Sequence, residues 1–212
     1  MKLFLDTADV KSVKARLSTG LISGITTNPT LIFKSGKHPQ TVYQELIKLG
    51  IDDISMEVMG DSEDELFKNA MGHVKTYAEK ATIKLPCTID GLKACKRLST
   101  VNVRTNVTLI FSPAQAILAS LAGATYISPF IGRMDDNSLD GMKLINDISN
   151  TLRSDTKILA ASIRDPQSVG TAFALGADIC TVPVDVFDRM YNHVLTDKGI
   201  EQFERDNAAS SD

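Results

Sequence analysis

The sequence predicts an α/β protein, a single (β/α)8 TIM barrel over residues 1–212 with an extra helix at its C-terminal end. Three observations carry this expectation. Eight short runs of β-branched and apolar residues alternate with eight amphipathic stretches along the 212 residues, the pattern of a parallel sheet with helical crossovers. No linker, low-complexity tract or charge block divides the chain. No Gly-x-Gly-x-x-Gly turn follows an early run, although an open doubly wound sheet, the other architecture that accepts the alternation, is expected to carry one. A count of eight favours closure. At 212 residues the barrel is compact, since about 250 is usual.

The strands are expected at 2–6, 24–27, 53–58, 81–86, 104–108, 126–130, 157–162 and 179–182. Helical periodicity covers 9–18, 39–49, 63–78, 91–98, 113–122, 139–152, 166–175 and 184–191, with a last helix at about 198–206. Ser112-Pro113 and Asp165-Pro166 each put a capping oxygen before a proline whose missing N–H costs nothing in a first helical turn. Gly20, Gly50 and Gly176 follow helix ends, where a left-handed residue is wanted.

Composition narrows the function classes. Hydrophobic residues at 43% and charged residues at 23% are the balance of an ordinary globular domain. A formal net charge of -3 supplies no basic field for nucleic acid, so an anionic substrate must be caught by locally placed cations. No apolar run could span a bilayer or serve as a signal-peptide core, and a cytoplasmic chain is expected. Cys87, Cys95 and Cys180 are an odd number at unrelated spacings, read as small reduced thiols rather than a disulfide framework.

The polar residues near the C-terminal ends of the strands are the informative ones: Asp6, Asn28, Glu57, Lys84, Asn106 with Thr108, Ser128, and Ser162 with Arg164. A closed barrel brings those ends to one face, where such folds place their chemistry. Any single polar residue there has a plain explanation, because strands stop at polar loops. Two carboxylates and a lysine on neighbouring strands are harder to assign to packing, since buried charges cost several kcal/mol or more unless paired.

In Ala81-Thr82-Ile83-Lys84-Leu85-Pro86, alternation turns Ile83 and Leu85 toward the helices and Lys84 inward. Desolvation disfavours the ammonium form, leaving an amine able to add to a ketone. A lysine merely paired with a buried carboxylate fits the position equally well. Asp6 reads either as a helix-start acid or as a general acid–base, and Glu57 as a strand-end acid or a partner of the lysine. Arg133 and Arg164 follow the sixth and seventh strands, where phosphate sites of such barrels often form, and a guanidinium fork suits phosphate oxygens. Each taken alone could be a solvated loop arginine.

Other signals carry less. His38, His73 and His193 lack convergent ligand spacing, so neither a metal nor a cofactor is expected. Asp135-Asp136-Asn137 resembles a fragment of a calcium loop without its later glycine and glutamate. Asn106-Val107-Thr108 matches a glycosylation sequon in a run that looks buried. Glu63-Asp64-Glu65 reads as a solvated helix start.

Taken in order, these residues resemble the transaldolase family, in the short-chain branch shared with fructose-6-phosphate aldolases. The resemblance covers essentially the whole chain and rests on Phe4-Leu5-Asp6-Thr7-Ala8, Gly24-Ile25-Thr26-Thr27-Asn28-Pro29-Thr30, Ile83-Lys84-Leu85-Pro86-Cys87-Thr88, Asn106 to Ser112, Ile127 to Arg133, and Ala160-Ala161-Ser162-Ile163-Arg164. It implies that Lys84 forms a Schiff base with C2 of a ketose phosphate and that Asp6 moves the C4 hydroxyl proton. Glu57 and Thr108 would hold the water of carbinolamine chemistry. Thr26, Asn28, Asn106 and Ser128 would orient the retained three-carbon unit, while Arg133, Ser162 and Arg164 grip the phosphate.

Within the branch, Glu57, Phe130 and Arg164 lean toward a transaldolase, the aldolases carrying glutamine, tyrosine and no second arginine contact there. The implied reaction moves a dihydroxyacetone unit from sedoheptulose 7-phosphate or fructose 6-phosphate to glyceraldehyde 3-phosphate or erythrose 4-phosphate, in the non-oxidative pentose phosphate pathway. The alternatives are an aldolase releasing free dihydroxyacetone and a non-catalytic sugar-phosphate-binding barrel. The resemblance also implies a pentameric or decameric homo-oligomer, the last helix reaching onto a neighbouring copy.

Overall fold

In a computed structural model, which describes residues 1–210, eight parallel strands close in sequence order, β1 to β8. The first half runs β1 (Lys2–Asp6), α1 (Val10–Leu17), β2 (Ile22–Thr26), α2 (Pro29–Ser35), α3 (Pro39–Lys48), β3 (Ile54–Glu57), α4 (Glu63–Tyr77), β4 (Ala81–Pro86) and α5 (Ile89–Thr100). The second half runs β5 (Thr105–Ile110), α6 (Pro113–Leu121), β6 (Tyr126–Pro129), α7 (Ile131–Asp135), α8 (Gly141–Thr151), β7 (Lys157–Ala160), α9 (Pro166–Ala174), β8 (Ile179–Val182), α10 (Val184–Arg189) and α11 (Val194–Ala209). Closure comes from β1 pairing with both β2 and β8. The expected α/β barrel is the observed one.

The strands alternate faces as a pleated ribbon requires. On β4, Ile83 and Leu85 enter the large apolar cluster between sheet and helices, while Lys84 lies between them and is 5% exposed. Inside the lower barrel a smaller cluster of Phe4, Tyr126, Leu159, Ala161 and Ile179 fills the axis. Beside it, Asp53 at the N-terminal end of β3 accepts hydrogen bonds from Thr82 Oγ1 and Tyr126 Oη, both at 2.7 Å, and from Arg104 Nη1 at 3.1 Å. This buried polar plug closes the face opposite the strand C-termini.

Helix punctuation follows the expected chemistry. Ser112 and Asp165 cap α6 and α9 by accepting from Gln115 N and Ser168 N, and Gly50 and Gly176 take positive φ of 88° and 105° just past helix ends. Two short helices, α2 and α7, were not expected. Asn28-Pro29 at the start of α2 is the same cap-proline pair, with Asn28 Oδ1 accepting from Leu31 N at 2.9 Å. Its seven residues are too few for periodicity to register. The last helix starts earlier and ends later than expected, at Val194 and Ala209, and none of its residues is buried. No helix among the described residues is long and apolar enough to cross a membrane.

Candidate active site

The barrel register sets the site. Asp6 stands beside Thr26, Glu57 beside Lys84, Lys84 beside Asn106, and Pro86 beside Thr108, on consecutive strand pairs. Asp6, Thr26, Glu57, Lys84 and Thr108 line two adjoining cavities at the C-terminal face. The smaller, of about 150 Å³, is lined by Asp6, Thr26, Asn28, Lys84, Ser128, Phe130, Arg133 and Ser162, together with Ala161 and Thr181. The larger, of about 370 Å³, shares Asn28, Lys84, Phe130 and Arg133 with it and adds Glu57 and Thr108.

Lys84 is held at the junction of the two. Its Nζ lies 3.2 Å from Glu57 Oε2 and donates to the backbone carbonyl of Thr27 at 3.1 Å. The pairing with a half-buried carboxylate, one of the two readings of this lysine, is therefore present. Lys84 also lines both cavities.

Asp6 is fixed differently. Thr26 Oγ1 donates to Asp6 Oδ1 at 2.7 Å, and Thr181 Oγ1 lies 2.6 Å from Thr26 Oγ1. Since the Thr26 proton is committed to Asp6, Thr181 is the donor to Thr26. Burial pushes the Asp6 carboxyl above its ordinary range, against the opposing pull of the Thr26 hydrogen bond and the Lys84 charge.

On the other side of Lys84, Asn106 is fully buried and tied at both ends of its amide. Its Nδ2 donates to Ser55 Oγ at 3.1 Å, and its Oδ1 accepts from Ser128 Oγ at 2.7 Å. Thr108 lines the larger cavity, and its buried Oγ1 makes no hydrogen bond within the protein. Asn28 spends its Oδ1 on the α2 cap and lines both cavities.

The late strands supply the cations. Arg133 lies 5.0 Å from the centre of the Phe130 ring, and Phe130 packs edge-on against Phe111. Ser162 takes a φ of 60°, an uncommon conformation for a residue with a Cβ, of the kind that concentrates at functional sites. Its carbonyl accepts from Gly132 N at 3.0 Å. A Cβ on Gly132 would sit 2.3 Å from that carbonyl and 2.7 Å from Arg164 Nε, so this glycine is what lets β7, α7 and Arg164 meet. Two expected site residues border neither cavity: Asn106, buried and tied to Ser55 and Ser128, and Arg164, whose terminal nitrogens both bond to the two carboxylate oxygens of Asp136.

Sequence reasoning passed over Thr181 and Ser55, both buried and both holding a site residue in place. Their alternation gave a signal. On Cys180-Thr181-Val182 and Ile54-Ser55-Met56 a small hydroxyl stands between apolar neighbours, as it must to face the barrel axis.

Comparison with known proteins agrees with this architecture. Two solved structures at 17% identity share the fold: a thiamine phosphate pyrophosphorylase from Pyrococcus furiosus, with a TM-score of 0.57 over 85% of each chain, and an inosine 5' monophosphate dehydrogenase from Legionella pneumophila, with a TM-score of 0.63 over 88% of this chain and 58% of that one. The sequence itself matches proteins described as "Probable transaldolase", 47% identical in Caulobacter vibrioides over 99% of this chain and 98% of that one, and 45% identical in Coprothermobacter proteolyticus over 96% and 94%. The family model for Transaldolase/Fructose-6-phosphate aldolase matches residues 3–212. The chain therefore belongs to the transaldolase/fructose-6-phosphate aldolase family.

Proposed function

We propose that the chain is a transaldolase that transfers a dihydroxyacetone unit between sugar phosphates through a Schiff base on Lys84. The observation that carries this reading is the buried Lys84 amine, 3.2 Å from Glu57 and lining the same cavity as Asp6.

Glu57 takes a proton from Lys84, and the neutral amine adds to C2 of the ketose phosphate. Loss of water leaves an iminium, the electron sink that a bare carbonyl is not. Asp6 accepts the C4 hydroxyl proton as the C3–C4 bond breaks; the bonding pair enters the iminium, giving an enamine, and the shortened aldose departs. An acceptor aldehyde then takes the enamine carbon and recovers a proton from Asp6, and water releases the new ketose. Glu57 and the free Thr108 hydroxyl hold that water. Asn28, Asn106 and Ser128 orient the three-carbon unit, and Arg133 and Ser162, with Arg164, meet the phosphate. Donors would be sedoheptulose 7-phosphate or fructose 6-phosphate, and acceptors glyceraldehyde 3-phosphate or erythrose 4-phosphate.

Borohydride treatment in the presence of fructose 6-phosphate tests the reading. Intact-mass analysis should show one stable adduct that maps to Lys84 and disappears in Lys84→Met; unmodified folded wild type would end the proposal. Turnover of fructose 6-phosphate that requires erythrose 4-phosphate separates transfer from simple aldol cleavage.

We also propose that α11 packs on a neighbouring copy in a homo-oligomer. Val194, Leu195, Ile200 and Phe203 are 50–73% exposed along it. Phe203→Asp should lower the mass measured by sedimentation.

A further inference from the structure

We propose that Asp136 is a displaceable counterion that fills the Arg164 guanidinium until a substrate phosphate takes its place, and so sets how tightly the site holds phosphate. This rests on the reading of Arg133, Ser162 and Arg164 as the phosphate site.

The geometry leaves the guanidinium little else. Its terminal edge is fully engaged, Nη1 and Nη2 each bonded to one oxygen of Asp136. Its Nε edge lies against the bare Cα of Gly132, where even a methyl group would come within 2.7 Å. A phosphate approaching the fork therefore meets a carboxylate already bound in the same planar, two-point manner. The backbone on each side is anchored. The Arg164 carbonyl accepts from Arg189 Nη2 at 2.9 Å, and Asp136 N donates to Gly132 O at 3.0 Å at the end of α7. Only the side chains need move, and both are about half exposed.

The carboxylate answers to both arginines. Its hydrogen bond with Arg164 holds Asp136 below the ordinary carboxylate range, and the charge of Arg133 pulls the same way. The neighbouring acid has a separate task, Asp135 Oδ1 accepting from Gly141 N at 3.0 Å to brace the start of α8. A dianionic phosphate outbids a singly charged carboxylate for two guanidinium groups, whereas an unphosphorylated sugar offers nothing to exchange. The tether thus sets phosphate affinity, lowering it for any anion that must displace Asp136 from Arg164 and leaving ligands that do not use Arg164 untouched.

Calorimetric titration with inorganic phosphate tests this without turnover. Asp136→Asn should bind phosphate about two- to fivefold tighter than wild type, the scale of one exposed ion pair. In an Arg164→Met background the same substitution should change affinity by less. The KM for fructose 6-phosphate should fall with Asp136→Asn by a similar factor, while the KM for fructose stays put, a split that a merely structural effect would not produce. Unchanged or weaker phosphate binding in Asp136→Asn, with Arg164→Met weakening it, overturns the tether alone. If neither Arg164→Met nor Arg133→Met weakens phosphate binding, the phosphate reading fails and the tether falls with it.

Discussion

Lys84 and Glu57 occupy paired positions on adjacent parallel strands, and their charged atoms stand 3.2 Å apart. The register that aligns Met56 with Ile83 also aligns Glu57 with Lys84, so the acid and the amine are brought together by backbone pairing rather than by long flexible side chains.

Glu57→Gln keeps the shape of this contact and removes its base. Borohydride trapping of fructose 6-phosphate on Lys84 should slow by about a hundredfold or more, the usual share of a general acid–base. The adduct, once formed, should still map to Lys84. Trapping at the wild-type rate would exclude Glu57 from imine formation.

Asp6 carries a stability signature. Because burial raises its carboxyl above the unfolded value of 3.8, the folded state favours the protonated form, and stability is lost as pH rises from the unfolded value through the folded one. Asp6→Asn escapes that loss. It should be more stable than wild type at neutral pH, with the difference shrinking as pH falls toward about 4 and gone below it, while activity drops by about a hundredfold or more. Denaturant melts across pH check the sign, and a less stable Asp6→Asn at pH 7 would refute it.

Thr26→Val removes the hydroxyl that holds Asp6 Oδ1. That hydrogen bond lowers the Asp6 carboxyl, so its loss should move the acidic limb of the kcat/KM profile to higher pH. Thr181→Val, one bond further out, should shift the limb less and cost about 1 kcal/mol of stability. Equal shifts in the two variants would contradict the relay.

The opposite end of the barrel should behave as scaffold alone. Tyr126→Phe deletes the 2.7 Å bond to Asp53, a buried hydrogen bond to a charged group worth about 1.5–3 kcal/mol. For a chain of this size the midpoint of thermal unfolding should fall by roughly 3–10 °C. Trapping at Lys84 should keep its wild-type rate, since the polar plug lies at the face away from the strand C-termini.

The order of strands and helices, the inward direction of Lys84 and the set of polar strand ends were all legible in the sequence, because pleat and helix periods are local and survive in one dimension. Asn28-Pro29 also announced α2 to anyone weighing caps over periodicity. What tertiary structure decided is which strand-end groups are spoken for. Thr181 reaches Thr26 from 155 positions away only because β8 closes onto β1, and the Asp136 carboxylate occupies Arg164 only because Gly132 lets α7 approach the end of β7. Such contacts depend on closure and on the absence of single atoms, which leave no periodic trace along the chain.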